Sequence, residues 1–167
     1  LDYRLQEIDI FNVALGVSQA IFEEQGQSLK SEITPTFYYD TRDSVFLTRH
    51  GHRITFGPHV AGGFLGGDVQ TYGFGLEGSQ YFKLWGDTVF LINAEMAVVD
   101  TWGSGDQVPI YSRLFLGGGN DLRGCDYREV GPKDINVVPL GGQSLPRLTP
   151  DSTVQGFETV RAALFNY

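Results

Sequence analysis

Apolar and polar residues alternate along most of this chain, and the alternation predicts β-strands. The clearest case is Val69–Trp85, in which Tyr72, Phe74 and Leu76 share one parity while threonine, glycine and glutamate residues share the other. A period of two over this length is typical of a strand with one apolar and one polar face.

Six segments carry this pattern, so the sequence predicts an all-β protein with little helix. The region Ala14–Lys30 is interpreted as a loop with one helical turn, and Tyr111–Phe157 as a long loop without a strand. The predicted strands are Tyr3–Val13, Ser31–Asp40, His52–Ala61, Val69–Trp85, Thr88–Val99 and Glu158–Tyr167.

Two architectures fit this alternation. A soluble β-sandwich buries its apolar faces against each other, whereas a membrane β-barrel turns them toward lipid. Strands of about ten residues match a tilted membrane crossing, and soluble strands are centred on about five or six residues. Aromatic residues also cluster near strand ends, as interfacial girdles do. The pattern therefore favours an antiparallel meander that forms part of a transmembrane β-barrel, with a soluble β-sandwich for ligand binding as the alternative.

Composition narrows the choice of partners. The chain of 167 residues has 12 Lys and Arg against 20 Asp and Glu, which gives a formal net charge of −8. An acidic chain without a basic run is a poor nucleic-acid binder, because that affinity rests on neutralising phosphates. The sequence begins at Leu1 without a signal peptide, so we expect a mature or cut fragment of a longer protein.

No residue pattern indicates an enzyme, a metal site or a cofactor site. His50, His52 and His59 have no further ligand at a usual spacing, and Cys125 has no histidine near it in sequence. The glycine-rich segment Gly117–Gly124 lacks the G-x-x-x-x-G-K-[ST] pattern of a phosphate-binding loop. We therefore expect no catalytic residue, no metal and no cofactor.

The long loop contains a segment, Arg113–Asp134, that has no strand or helix period but is not low in complexity. It reads R-L-F-L-G-G-G-N-D-L-R-G-C-D-Y-R-E-V-G-P-K-D. Loops longer than about 12–15 residues are usually functional or disordered, and apolar residues such as Leu114 and Phe115 would anchor this one. Its centre is Arg123, which stands among glycines.

Three motifs in order give the chain a family resemblance. G-G-G-N-D-L-R-G-C followed by V-G-P-K-D resembles the sixth extracellular loop of the BamA-like outer-membrane assembly family, also called the bacterial surface antigen family. Upstream, Y-Y-D-T-R-D-S and H-G-H-R-I-T-F-G resemble the family's D-T-R-D and G-x-R segments, and V-P-I-Y-S-R-L-F-L-G-G resembles its approach to the loop. The resemblance covers about Phe37–Asp134.

The resemblance implies a sixteen-stranded barrel behind periplasmic POTRA domains, of which this chain would hold about six strands. Residues 1–167 would be a partial C-terminal barrel domain, with a plug loop at about 112–156 and with the POTRA domains and last strands absent. In the family, this loop folds into the lumen and its arginine contacts acidic residues of the inner wall. The implied plug motif is Gly117, Gly118, Leu122, Arg123, Gly124 and Cys125.

Three further sets of residues are considered beside this motif. The family usually has Phe or Tyr where this chain has Cys125, and Tyr127 is a candidate substitute. The expected acidic partner of Arg123 falls at or beyond Tyr167, while Glu77 and Glu95 are candidates on the polar parity. The D-T-R-D residues Asp40, Arg42 and Asp43 are interpreted as a turn that stabilises the barrel rim.

The resemblance also implies a function without covalent chemistry. It predicts the assembly and insertion of outer-membrane proteins, in the outer membrane of a Gram-negative-type bacterium. The implied partners are unfolded outer-membrane proteins, outer-membrane lipid and accessory assembly lipoproteins, and no nucleic acid. Two-partner secretion through a related barrel is the neighbouring alternative.

Overall fold

The computed structural model describes residues 1–13, 19–103, 107–118, 124–133 and 138–154. These residues form seven strands and a single turn of α-helix, α1 (Gln19–Glu23). Short 3-10 helices lie at Gly63–Leu65 and Ile110–Ser112. The strands are β1 (Asp2–Ile10), β2 (Gly26–Thr34), β3 (Phe37–Asp40), β4 (Gly51–Ala61), β5 (Thr71–Lys83), β6 (Thr88–Thr101) and β7 (Ser144–Val154).

The strands form one sheet in the order β1-β2-β4-β5-β6-β7, and β3 pairs with β4 beside this path. The ladder between β1 and β2 is antiparallel and runs from Asp2↔Thr34 to Ile10↔Gly26. Because consecutive strands pair along the chain, the fold is the predicted all-β antiparallel meander. The described strands all belong to this one sheet, whereas the β-sandwich alternative requires two packed sheets.

The chain divides into two compact units, each built from separate stretches of sequence. One unit comprises Leu1–Pro35, Pro58–Phe74 and Ala97–Leu145, and it contains α1 and the long loop after β6. The other comprises Thr36–Gly57, Gly75–Met96 and the chain from Pro146, and it contains the turns before β4 and between β5 and β6.

The large apolar side chains of the central strands lie on one face of the sheet and are exposed. The exposed large side chains of β4, β5 and β6 include Ile54, Phe56, Tyr72, Leu76, Phe82 and Met96, all at even positions. The buried apolar side chains of the described chain are small and lie mostly at odd positions: Ala61, Val69, Val89, Val99 and Val108. An outward band of large apolar residues over a face of small and polar residues is the arrangement of a membrane-barrel wall.

One predicted strand, Ser31–Asp40, is in fact two. β2 ends at Thr34 and β3 begins at Phe37, with Pro35 between them. Proline has no N–H to donate to a ladder, and β4 pairs with β2 through Val60 and Ala61 but with β3 through residues 53–56. The proline therefore separates two successive partners of one long strand.

The loop prediction for Ala14–Lys30 is right in part. The helical turn is present as Gln19–Glu23, but residues 26–30 are the start of β2 and not loop. They pair with β1 from Ile10↔Gly26 to Gln6↔Lys30. This pairing joins residues distant in sequence, and local alternation does not reveal it.

The prediction of no strand between Tyr111 and Phe157 is wrong for Ser144–Val154, which is β7. This strand contains Pro146 and Pro150, and a proline in a segment argues against a central strand there. Gln143 directs its C=O to Val99 of β6. Backbone groups alternate sides along a strand, so the N–H and C=O groups of the even-numbered residues of β7 point away from β6. Proline at positions 146 and 150 therefore removes no hydrogen bond to β6. The predicted strand Glu158–Tyr167 lies outside the described residues.

Within the described part of the chain, no helix is long and apolar enough to cross a membrane.

Candidate functional site

Arg113 ties together the two ends of the long loop. Its Nε donates to the backbone oxygen of Val108 at 2.7 Å, and its Nη1 donates to the backbone oxygen of Leu140 at 3.2 Å. Val108 precedes the glycine-rich segment and Leu140 follows it, so one guanidinium binds the backbone on both sides of this segment. The planar fork of donors makes arginine suited to this role.

Glu24, beside the end of α1, anchors the same root from a distant part of the sequence. Its two carboxylate oxygens accept the backbone N–H of Ile110 at 3.0 Å and 2.8 Å. The carboxylate also lies 3.9 Å from Nη2 of Arg113. Hydrogen bonds to a charged acceptor are stronger than neutral ones, so this contact connects the loop after β1 to the loop after β6. We call Glu24, Ile110 and Arg113 the root clamp.

A cavity of about 200 Å³ borders the root clamp. Glu24, Asp68 and Tyr111 line it together with Ser28 and Gln70. Burial raises the pKa of the Tyr111 hydroxyl above its ordinary value, so this group stays a neutral hydrogen-bonding partner at physiological pH. Asp68 accepts the backbone N–H of Leu29 at 2.9 Å, and its carboxylate therefore stabilises β2.

The two legs of the glycine-rich segment are paired above the root clamp. Leu116 bridges Val130, and the backbone N–H of Val130 donates to Leu116 at 3.0 Å. The N–H of Gly118 also donates to the backbone oxygen of Cys125 at 3.2 Å. This bond joins the two legs at Gly118 and Cys125, and we call the paired legs the neck.

Glycine at position 117 is required by the neck. Its φ is +127°, and a Cβ built there would collide with the backbone oxygen of Asp126. Only glycine adopts such a conformation without strain and permits that approach. Gly118 also has a positive φ, +106°, but its nearest neighbour is the ring of Tyr127 at an ordinary contact distance.

Arg128 covers aromatic surface just beyond the neck. Its guanidinium lies 4.2 Å from the ring centre of Phe115 and 5.1 Å from that of Tyr127. A cation over an aromatic face is attracted by the ring quadrupole. Tyr127 is 74% exposed, so its ring serves as a surface contact of Arg128 and is not packed in a core.

The plug-motif residues are only partly within the described chain. Gly117, Gly118, Gly124 and Cys125 belong to the neck or border it, and the Cys125 thiol is free and half-buried. Leu122 and Arg123 lie outside the described residues.

Sequence reasoning missed the root clamp. The sequence singles out Arg113 only as part of the V-P-I-Y-S-R-L-F-L-G-G motif. Its position just before the apolar pair Leu114 and Phe115 is the one feature that could have indicated a structural role. Glu24 gave no signal, because it contacts Ile110 across 86 positions of sequence.

The two acidic residues considered for Arg123 have different surroundings. Glu95 of β6 forms a close ion pair with Arg147 of β7, so it holds these two strands in register. Glu77 of β5 lines a polar cavity of about 240 Å³ together with Arg42 and Arg53.

The D-T-R-D turn is held by its own side chains. Arg42 binds Asp40 in a bidentate manner, with distances of 2.9 Å from Nε and 2.7 Å from Nη2. Asp43 accepts the backbone N–H groups of Arg49 at 2.9 Å and His50 at 3.3 Å. These bonds lower the pKa of Asp43 below its ordinary value. The predicted residues thus meet at one turn, with Asp40 at the end of β3 and Arg42 and Asp43 in the turn that follows.

In the ranges that the structure describes, no three His, Cys, Asp or Glu side chains are close enough to hold an ion.

The antiparallel meander, with its outward apolar band, defines the chain as part of a transmembrane β-barrel. The chain belongs to the Omp85 superfamily, since a model of the Omp85 superfamily domain matches residues 1–165.

Curated relatives extend this match. The chain is 26% identical over 144 residues to the outer membrane protein assembly factor BamA of Neorickettsia risticii. This alignment covers 85% of this chain and 19% of the relative. The chain is 32% identical over 133 residues to the sorting and assembly machinery component 50 homolog of Bos taurus, with 76% of this chain and 26% of the relative covered. A SAM50-like protein of Schizosaccharomyces pombe is 29% identical over 163 residues (89% and 32%). The chain thus spans about a fifth to a third of the length of these relatives.

Proposed function

We propose that this chain is part of an outer-membrane β-barrel that assembles and inserts other outer-membrane proteins. The observation that carries the proposal is the match to relatives named as an assembly factor in a bacterium and as an assembly-machinery component in a mammal. The outward apolar band of β4–β6 supports it, because such a band suits a wall in lipid. No covalent step is involved.

The partners follow from this activity. Unfolded outer-membrane proteins are the substrates, outer-membrane lipid surrounds the wall, and accessory lipoproteins are further partners. The location is an outer membrane, and the Gram-negative-type bacterium is the finer proposal, since eukaryotic relatives match as well. The relatives' names favour assembly over two-partner secretion.

For the loop, we propose that Arg123 is the tip of an internal plug that keeps the barrel in shape. The paired legs and the root clamp support this, because they fix the described chain on both sides of Arg123. Its guanidinium would pair with a carboxylate of the polar wall through a rigid fork of donors.

Depletion of the full-length protein in its own cells tests the assembly function. Folded outer-membrane barrels should fall in abundance while their unfolded precursors accumulate, and restored expression should reverse both effects. Unchanged levels of every other outer-membrane barrel would contradict the proposal. Depletion of an unrelated outer-membrane barrel is the control for general envelope damage.

The plug is tested by Arg123→Ala in the full-length protein, with Arg128→Ala as the matched control in the same loop. Arg123→Ala should lower the resistance of the barrel to heat and reduce assembly. Arg128→Ala should lose only its cation–π contacts with Phe115 and Tyr127, each worth about 0.5–1 kcal/mol at exposed sites. If Arg123→Ala behaves like Arg128→Ala, there is no plug at Arg123.

A further inference from the structure

The turn between β3 and β4 displays three consecutive apolar side chains. Val45, Phe46 and Leu47 are 69%, 96% and 63% exposed. A run of three exposed apolar residues is costly in water and usually marks an interaction surface. We call these three residues the apolar tip.

Hydrogen bonds inside the turn hold the apolar tip outward. The hydroxyl of Ser44 accepts the backbone N–H of Leu47 at 3.2 Å, and the hydroxyl of Thr48 donates to the backbone oxygen of Ser44 at 2.6 Å. Thr48 is buried, while Phe46 beside it is almost wholly exposed. Asp43 closes the turn through Arg49 and His50. The exposure of the tip is therefore built into the turn.

The two strands that flank the apolar tip share an exposed apolar face. Phe37 of β3 lies opposite Phe56 of β4, and Tyr39 lies opposite Ile54, so the four share one face. All four are exposed, and the rings of Phe37 and Phe56 stack with their centres 6.3 Å apart. The apolar tip is thus flanked in sequence by a strand pair with an exposed apolar face.

Charged and amphipathic groups border the apolar tip. Arg49 lies 3.5 Å from Asp87 of the neighbouring turn, and this turn also carries Trp85, which is 80% exposed. Tryptophan is enriched at membrane–water interfaces because its ring is apolar and its N–H is polar. Arginine near such an interface pairs with lipid phosphates.

From this arrangement we propose that the apolar tip inserts into the lipid interface and anchors this end of the hairpin, with Arg49 at the level of the headgroups. The proposal rests on the proposed function, because it requires the face of Phe37 and Phe56 to contact lipid. It adds a membrane contact outside the strands. The occupant is lipid, since the flanking strands carry an exposed apolar face and the neighbouring turn carries an exposed tryptophan.

A fluorescent label at the tip tests the proposal. The full-length protein, with Cys125 and any further cysteines replaced by serine, carries a single Phe46→Cys labelled with an NBD dye. After reconstitution into phosphatidylcholine vesicles, spin-labelled lipids measure the depth of the dye. Leu47→Cys is the second tip position, Leu76→Cys is a position on the outward face of β5, and Lys133→Cys is an exposed loop position.

The proposal expects strong quenching at positions 46 and 47 by a spin label near the headgroup, and weaker quenching by a label deep in the acyl chains. The dye at position 133 should stay unquenched. Quenching at 76 but not at 46 or 47 would overturn the lipid anchor and leave the membrane barrel intact. A blue-shifted but unquenched dye at 46 would overturn it in favour of a protein cover. No quenching at 76 would contradict the membrane barrel itself.

Discussion

The carboxylate of Glu24 accepts the backbone N–H of Ile110 with both of its oxygens, at 2.8 Å and 3.0 Å. This contact joins a loop near the start of the chain to the root of the long loop. Because Arg113 lies 3.9 Å from the same carboxylate and binds backbone on both legs, the root clamp fixes where the glycine-rich segment begins.

Glu24→Gln should loosen the root of the loop. The amide keeps the shape of the side chain but loses the charge, and hydrogen bonds to charged groups contribute about 1.5–3 kcal/mol. We expect faster hydrogen exchange at the Ile110 amide and easier proteolysis of the long loop in the full-length protein. Glu7→Gln, at an exposed position of β1, is the control. Equal exchange rates in the two variants would show that the root clamp does not stabilise the root of the long loop.

Gly117→Ala should destabilise the neck more than the same change at Gly131. Both glycines have a strongly positive φ, +127° and +136°, but only position 117 faces a backbone oxygen. The shared backbone strain costs about 1–3 kcal/mol, and the collision adds to the cost at 117. The two thermal unfolding midpoints, measured in detergent, check this difference. Identical midpoints would contradict the geometry of the neck.

Asp43 predicts a pH dependence of the D-T-R-D turn. Its pKa is lowered because the backbone N–H groups of Arg49 and His50 donate to the carboxylate. A lowered folded-state pKa stabilises the protein above the unfolded value of about 4, and the contribution disappears as pH falls through the folded value.

Asp43→Asn should therefore be less stable than the wild type near neutral pH and should converge with it in acid. Thermal unfolding measured across this pH range checks the convergence, and Asp9→Asn, an exposed carboxylate of β1, should show a far smaller difference. A stability gap that is constant with pH would show that ionised Asp43 does not hold the turn.

Glu95 and Arg147 should be coupled energetically. They form a partly buried pair between neighbouring strands, whereas Asp2 and Arg4 form a pair that is mostly exposed. A double-mutant cycle with alanine should give about 1 kcal/mol for the first pair and about zero for the second, since exposed pairs contribute little. Equal coupling in the two cycles would argue against a role in strand register.

Local alternation was enough to predict β4, β5 and β6, because each has one face of large apolar residues. Alternation was not enough where pairing with a distant strand, or the placement of a proline, determines whether a segment is a strand. Residues 26–30 are strand because β1 pairs with them, and β7 contains two prolines that only its neighbours explain. The motifs singled out Gly117, Gly118 and the D-T-R-D residues in advance, and their roles in a plug and a barrel rim stay predictions. The root clamp could not be predicted, because Glu24 and Ile110 meet only in the folded chain.

The assembly claim is tested most directly by purified full-length protein in lipid vesicles. A urea-unfolded outer-membrane barrel is diluted into these vesicles, and its folding is followed by the shift in gel mobility of the unheated sample. The account predicts faster and more complete folding than in protein-free vesicles or in vesicles with an unrelated barrel. Folding at the same rate in all three would contradict it.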